Sequence, residues 1–177
     1  MTEEQPYEVV EEHPDFEVRW YPEHVVAETR VQGSFESVGN KAFMRLVGYI
    51  GGRNTESTKV AMTAPVLQEP DELGEGRYVV SFVMPSGFVP EDSPEPTNPD
   101  VRLRSVPAHW AAARRFSGRW SRGRYEEHAK RLTEALESVG LEVDGPLRFA
   151  RFDPPWTPWF MRHNEVVAPL RPLPEQD

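Results

Sequence analysis

The 177-residue chain contains no cysteine. Disulfide scaffolds, thiolate zinc sites, iron–sulfur clusters and cysteine nucleophiles are excluded together, and a reducing compartment fits. No apolar run approaches the ~20 residues that span a bilayer. The stretch Met1-Thr2-Glu3-Glu4-Gln5-Pro6 is acidic and lacks the basic and apolar regions of a secretory signal, so a cytoplasmic location is expected. Catalytic signatures are missing too. There is no Gly-x-Ser-x-Gly elbow, no P-loop and no Rossmann glycine fingerprint. His13, His24, His109, His128 and His163 have none of the spacings that put two ligands on one helix face. Glu126-Glu127-His128 lacks the second histidine of a zinc motif. The histidines therefore read as ordinary surface or turn residues, no catalytic group is nominated, and metal binding stays undetermined.

Prolines are plentiful, 18 in all, which argues against a long helical bundle. The length suits one domain over residues 1–177. The net charge of −9 opposes a phosphate backbone, so neither nucleic acid nor membrane is an expected partner. That charge is unevenly spread. Residues 1–100 carry 7 basic and 19 acidic side chains, residues 101–131 carry 9 and 2, and residues 132–177 carry 4 and 8. The central run is almost wholly arginine (Arg102, Arg104, Arg114, Arg115, Arg119, Arg122, Arg124). It reads first as a solvated face balancing acidic neighbours, and second as an anion-binding patch.

Hydrophobic periodicity switches along the chain. Residues 7–12 and 16–21 read as strands, the second with Phe16, Val18 and Trp20 opposed to Glu17 and Arg19. Residues 25–32 alternate again. Ser34 is a candidate N-cap for a helix from Glu36, whose stripe is Val38, Ala42, Phe43, Leu46, Val47 and Ile50, and Gly51-Gly52 is its stop. Residues 59–66 read as an edge or kinked strand interrupted by Pro65, and 77–84 as an apolar strand. A proline-rich loop at about 89–100 joins two halves, about 7–88 and 101–168. The second half carries strands at 101–106 and 109–116, a helix over 121–139 with stripe Tyr125, Ala129, Leu132, Leu136 and Val139, then extended segments at 147–153 and 159–168. Pro169 to Asp177 reads as a frayed tail. Each half runs β, β, glycine turn, α, β, β, which predicts an α+β protein with a largely antiparallel sheet and two packed helices.

The segment Phe152-Asp153-Pro154-Pro155-Trp156-Thr157-Pro158-Trp159-Phe160-Met161 concentrates three prolines with five large apolar side chains. It is either a rigid loop closing the core or the wall of a pocket for a flat apolar ligand, with Phe43 and Val47 as a companion wall.

Several of these pieces occur together in a known family. They are Phe16-Glu17-Val18-Arg19-Trp20-Tyr21-Pro22, Tyr49-Ile50-Gly51-Gly52-Arg53-Asn54, Met62-Thr63-Ala64-Pro65-Val66, Phe152-Asp153-Pro154-Pro155-Trp156-Thr157-Pro158 and His163-Asn164-Glu165-Val166. In these motifs, and in their order, the chain resembles the SOUL haem-binding proteins. The resemblance implies a distorted antiparallel barrel of two pseudo-repeated βαββ-like units, similar to the effector-binding domains of multidrug-responsive regulators. It implies haem or another tetrapyrrole in an apolar cleft between the first helix and the loop before the last strand, buffered or carried there. Carried onto this chain, the ligand-binding residues are Asn40, Phe43, Val47, Met62, Trp156, Thr157, Pro158, Trp159 and Phe160. Trp20 stands where some members offer a histidine, which leaves haem without a strong axial protein ligand at that position. A small-molecule sensor and a haem-modifying, iron-removing enzyme (with Glu165 or His163 as proton donor) are the alternatives. A small-molecule ligand is the expected partner, and a monomer is slightly favoured.

Overall fold

The computed structural model describes residues 3–72 and 74–173. Ten strands and two α-helices follow in the order β1 (Glu3–Glu4), β2 (Glu8–Glu12), β3 (Glu17–Tyr21), β4 (His24–Gln32), α1 (Val38–Ile50), β5 (Thr63–Pro70), β6 (Arg77–Val83), β7 (Val101–Val106), β8 (His109–Phe116), α2 (Arg122–Ser138), β9 (Arg148–Arg151) and β10 (Asn164–Leu170). The fold is α+β with antiparallel sheet pairing throughout except for the short parallel contact of β1 with β5. Among the described residues no helix is long and apolar enough to cross a membrane.

The chain forms two compact units that do not follow the two sequence halves. The first comprises residues 1–5 and 23–107, the second residues 6–22 and 108–177. The proline-rich loop and β7 thus belong to the first unit, and β2 and β3 to the second. The exchange makes the internal repeat plain. The first unit runs β4-α1-β5-β6 and sets β4 between β6 and β7. The second runs β8-α2-β9-β10 and sets β8 between β10 and β3. Each is one βαββ motif with a strand added beside its first strand, from after the motif in one case and before it in the other, and with one further strand, β1 on β5 in the first unit and β2 on β3 in the second.

In the first unit the α1 stripe Val38, Ala42, Leu46, Tyr49 and Ile50 packs on Val25, Ala27, Val31, Val80 and Phe82. β4 is buried on both faces from Val25 to Thr29, denser than its alternation predicts. The helix starts at Val38, with Ser37 at the N-cap position. Ser34 instead closes the preceding turn, its carbonyl accepting from the amides of Ser37 and Val38. At the other end Gly52, not Gly51, takes the left-handed backbone (φ 116°), which a side chain would strain. The expected strand at 59–66 begins only at Thr63, and it contains the cis bond Ala64–Pro65.

In the second unit α2 is capped by Ser121, whose hydroxyl accepts from the Arg124 amide. Its buried positions are His128, Leu132 and Leu136, whereas Val139 is exposed. Burial of His128 corrects its reading as a surface residue. Its ring stacks on Phe116 with centroids 4.2 Å apart. Alanines 111–113 in β8 let Tyr21 and Val167 pack closely on the central strand. β10 starts at Asn164, after a 3₁₀ turn at Trp159–Met161, and extends to Leu170. Pro169 and Leu170 are therefore strand rather than tail, and residues 174–177 lie outside the described residues.

Candidate functional site

Two exposed apolar surfaces stand out, one in each unit. In the first, α1 turns its buried stripe inward and leaves Asn40, Phe43 and Met44 on the outside, with Val47 half-buried beneath them. Met44 is 71% exposed. Phe43 sets its ring edge-on to the buried Phe82 at 5.9 Å, so one edge rests on the core while the remainder meets water. Met62 is exposed immediately before β5. The helix is held in place by Arg45, which donates to Thr29 Oγ1 at 3.1 Å and to the Arg30 carbonyl at 3.2 Å. Tyr49 anchors the proline-rich loop by donating to the Pro94 carbonyl at 2.7 Å.

In the second unit the segment between β9 and β10 presents Trp156, Trp159, Phe160 and Met161 to solvent, Trp156 being 83% exposed. Four large apolar side chains in one short exposed segment form the kind of patch that soluble proteins keep for a ligand or partner. The segment is nevertheless tightly built. Thr157 N–H donates to the Pro154 carbonyl at 3.1 Å, and Met161 N–H to the Pro158 carbonyl at 2.9 Å. Arg162 ties the turns together, donating from Nε to the Thr157 carbonyl at 3.0 Å and from Nη2 to the Pro155 carbonyl at 2.8 Å. Its guanidinium lies 4.1 Å from the centroid of Trp120, whose indole N–H donates to Asn164 Oδ1 at 2.8 Å. The Asp153 carboxylate accepts the His163 amide, and the His163 ring stacks on Phe152 at 4.1 Å.

His163, just after this loop, leads into a buried charge network. Glu165, 2% exposed on β10, accepts Arg19 Nη1 at 2.6 Å and Nη2 at 2.8 Å and contacts His163 Nε2 at 2.9 Å. Arg19 also donates to Tyr21 Oη at 2.8 Å and Glu17 Oε1 at 2.6 Å, and its guanidinium sits 3.9 Å over the Tyr7 ring. Burial alone would raise the Glu165 pKa. The hydrogen bonds from Arg19 and His163 outweigh that and hold it at about 2. Burial likewise works against charge on Arg19, and Glu165 reverses it, so the guanidinium holds its proton more tightly than usual. Arg19 is thus buried although the alternation of β3 sets it with Glu17 on the polar face. The sequence signal was Glu165 itself, a charge leading the apolar run Val166-Val167-Ala168, since a buried carboxylate requires a partner.

The expected ligand-binding residues thus assemble as two groups. Asn40, Phe43 and Val47 share one side of α1, and Trp156, Thr157, Pro158, Trp159 and Phe160 share one loop, with Thr157 contributing its backbone to the turn. Most of the arginine-rich run is paired, and Arg119 lies 5.4 Å from the Trp159 ring centroid in the aromatic loop. Arg102 and Arg104 both pair with the buried Glu28 carboxylate. Arg114 donates to His128 Nδ1 at 3.2 Å, Arg122 pairs with Glu126, and Arg124 donates to the Ser117 carbonyl. Among the described residues no group of three or more histidine and carboxylate side chains could hold a metal ion.

A family model described as SOUL heme-binding protein matches residues 2–169. The chain belongs to the SOUL haem-binding protein family. It is similar to Heme-binding protein 1 of Xenopus laevis, 28% identical over 158 residues that cover 85% of this chain and 81% of that protein. Heme-binding protein 2 of Homo sapiens is 28% identical over 157 residues, covering 85% and 76%. Among solved structures, the EcmrR C-terminal domain superposes with a TM-score of 0.65 at 15% identity, over 94% of this chain and 99% of that one. A hydrolase from Listeria innocua gives 0.63 at 11% identity, over 89% and 92%. These two likenesses are of fold.

Proposed function

We propose that this chain binds haem, with the exposed side of α1 in the first unit and the Trp156–Met161 loop in the second as the two candidate apolar surfaces for the macrocycle, and that it buffers or carries its ligand in the cytoplasm. Family membership and relatives named for haem binding support the ligand. The observation that carries the site is the Trp156–Met161 loop, four large apolar side chains held exposed by a clamp of arginine and backbone bonds. Aromatics fixed in advance lose little entropy when a flat ligand stacks on them. Each square ångström of apolar surface they cover contributes roughly 25 cal/mol before binding costs are subtracted.

The residues present fit the macrocycle better than they fit the iron. His13, His24, His109 and His163 each have Nε2 within hydrogen-bond distance of a neighbour, namely Glu11, Gln5, Arg148 and Glu165. His128 is buried against Phe116. When bound, haem supplies the redox and spectroscopic chemistry, while the chain binds, orients and shields the ring. The iron-removing alternative loses Glu165 as its proton donor, because a carboxyl held at about 2 is ionised near neutrality. The buried carboxylates Glu28 and Glu165 are each matched by arginine, so neither offers an unpaired anion to a cationic ligand.

The test is a haemin titration into apoprotein, following the Soret band and tryptophan fluorescence together. Saturable one-to-one quenching is expected. Phe43→Ala and Trp156→Ala, made singly and together, test each surface separately, and the double variant should bind at least about tenfold more weakly with an unchanged far-ultraviolet circular dichroism spectrum. Unsaturable quenching, or a double variant of undiminished affinity, refutes the assignment.

A further inference from the structure

Haem differs from a plain apolar plate in carrying two propionate carboxylates. The arginines at 102, 104, 114, 122 and 124 are engaged within their own units. On α1, Lys41 donates to the Gln32 carbonyl and Arg45 to Thr29 and the Arg30 carbonyl. Arg53 is different. We infer, resting on the haem reading, that Arg53, laid against α1 over Gly48, is the residue through which the α1 surface recognises a ligand carboxylate.

Three observations support this assignment. First, the main chain of Arg53 is fixed on both sides, its N–H donating to the Gly48 carbonyl at 2.9 Å and its carbonyl accepting from Thr97 Oγ1 at 3.0 Å. Second, the side chain folds back over the helix. A Cβ added at Gly48 would stand 3.2 Å from Arg53 Cδ and 3.8 Å from Nη1, so the absent side chain leaves the groove in which the arginine lies. Gly48 follows Val47 and stands one turn after Met44, which places the guanidinium at the margin of the exposed patch of Phe43 and Met44. Third, Arg53 is exposed, and among the described residues its side chain makes no hydrogen bond or ion pair. A cation with a fixed root and an open fork beside an apolar surface suits a ligand that is apolar across its face and carboxylated at its rim. The planar guanidinium meets such a group with two parallel hydrogen bonds, which lysine cannot reproduce.

The experiment compares haemin with its dimethyl ester, which keeps the macrocycle and iron but removes the propionate charge, on the wild-type protein, Arg53→Met, Arg53→Lys and Gly48→Ala. Wild type is expected to bind haemin about tenfold more tightly than the ester at low salt. Arg53→Met should bring haemin down to the level of the ester while leaving ester affinity unchanged. Arg53→Lys should restore part of the difference, and Gly48→Ala, whose methyl presses on the Arg53 side chain at 3.2 Å, should reduce it modestly. Wild type binding haemin tightly with Arg53→Met unchanged for both ligands overturns the inference and leaves the haem reading standing. Equal weakening of both ligands assigns Arg53 a structural role and also overturns it. Failure of wild type to bind either ligand overturns the haem reading itself.

Discussion

Arg19 and Glu165, 146 residues apart in sequence, face each other through two parallel hydrogen bonds of 2.6 and 2.8 Å, and both side chains are almost completely shielded from water. The pair spans β8, because β3 and β10 flank that strand on opposite sides. It ties β3 to β10, and His163, which contacts Glu165 Oε2 at 2.9 Å, links it to the end of the aromatic loop. Breaking a buried pair leaves one charge uncompensated, which costs about 3–5 kcal/mol, whereas replacing both partners by apolar groups is far less damaging. Glu165→Gln should therefore lower the urea midpoint strongly. Arg19→Met combined with Glu165→Leu should recover a good part of that loss, though Glu17 and His163 then lack their partner. An unchanged midpoint in Glu165→Gln would show that the pair contributes nothing to stability.

Acid should destabilise this protein in two steps. Burial first, then the nearby Arg114 and Arg124, lowers the His128 pKa from 6.5 to about 4. Glu165 is lowered from 4.5 to about 2. Both folded-state values are depressed, so each group's contribution is present above its unfolded pKa and is lost as pH falls through the folded one. The His128 part goes between about pH 6.5 and 4, when the ring must charge against Arg114. The Glu165 part goes between about 4.5 and 2. Each is worth roughly 3 kcal/mol at most. In a series of urea melts from pH 7.5 to 3, His128→Gln should flatten the upper stage whatever its stability at neutral pH. A slope that persists in the variant would assign it to another group.

Arg162 should govern the order of the aromatic loop. Its two donors reach the Thr157 and Pro155 carbonyls, and its guanidinium rests on Trp120, so one side chain spans the turn that carries Trp156. Arg162→Ala removes all three contacts while leaving the buried pair in place. Tryptophan anisotropy should fall and cleavage by a protease of broad specificity should speed up near residue 156, with little change in the global midpoint. Arg162→Lys should rescue only weakly, since an ammonium cannot span both carbonyls from a planar fork. Unaltered anisotropy and cleavage would mean that the three prolines hold the loop without it.

The sequence displays periodicity, and periodicity found every strand from β2 to β10 and both helices, with boundaries a few residues adrift. Ser34 misled because its hydroxyl and carbonyl are taken up in the turn before the helix, which starts behind Ser37 without a side-chain cap bond. The exposed aromatic segment was legible because proline and tryptophan seldom crowd together without a purpose. The charge network was not. Arg19 sits in a strand of alternating polarity whose polar side is ordinarily wet, and only the fold brings Glu165 and the Tyr7 ring onto it. Arg53 was equally hidden, since its orientation depends on the bare surface of Gly48, five residues away.

Trp156 and Phe149 form the sharpest contrast between ligand surface and core. Trp156 is the larger side chain but is 83% exposed, and its removal takes little apolar area out of the protein interior. Phe149 is fully buried on β9, stacked with Phe116 at 5.9 Å and tilted against Tyr125 at 5.2 Å, where it fastens α2 to the sheet. Trp156→Ala should shift stability by no more than about 0.5 kcal/mol, as expected of a surface change. Phe149→Ala should cost about 3–5 kcal/mol through lost burial and the cavity left behind. Thermal and urea melts of the two variants decide the matter. If Trp156→Ala proved as damaging as Phe149→Ala, the loop would be part of the core rather than a surface kept open for a ligand.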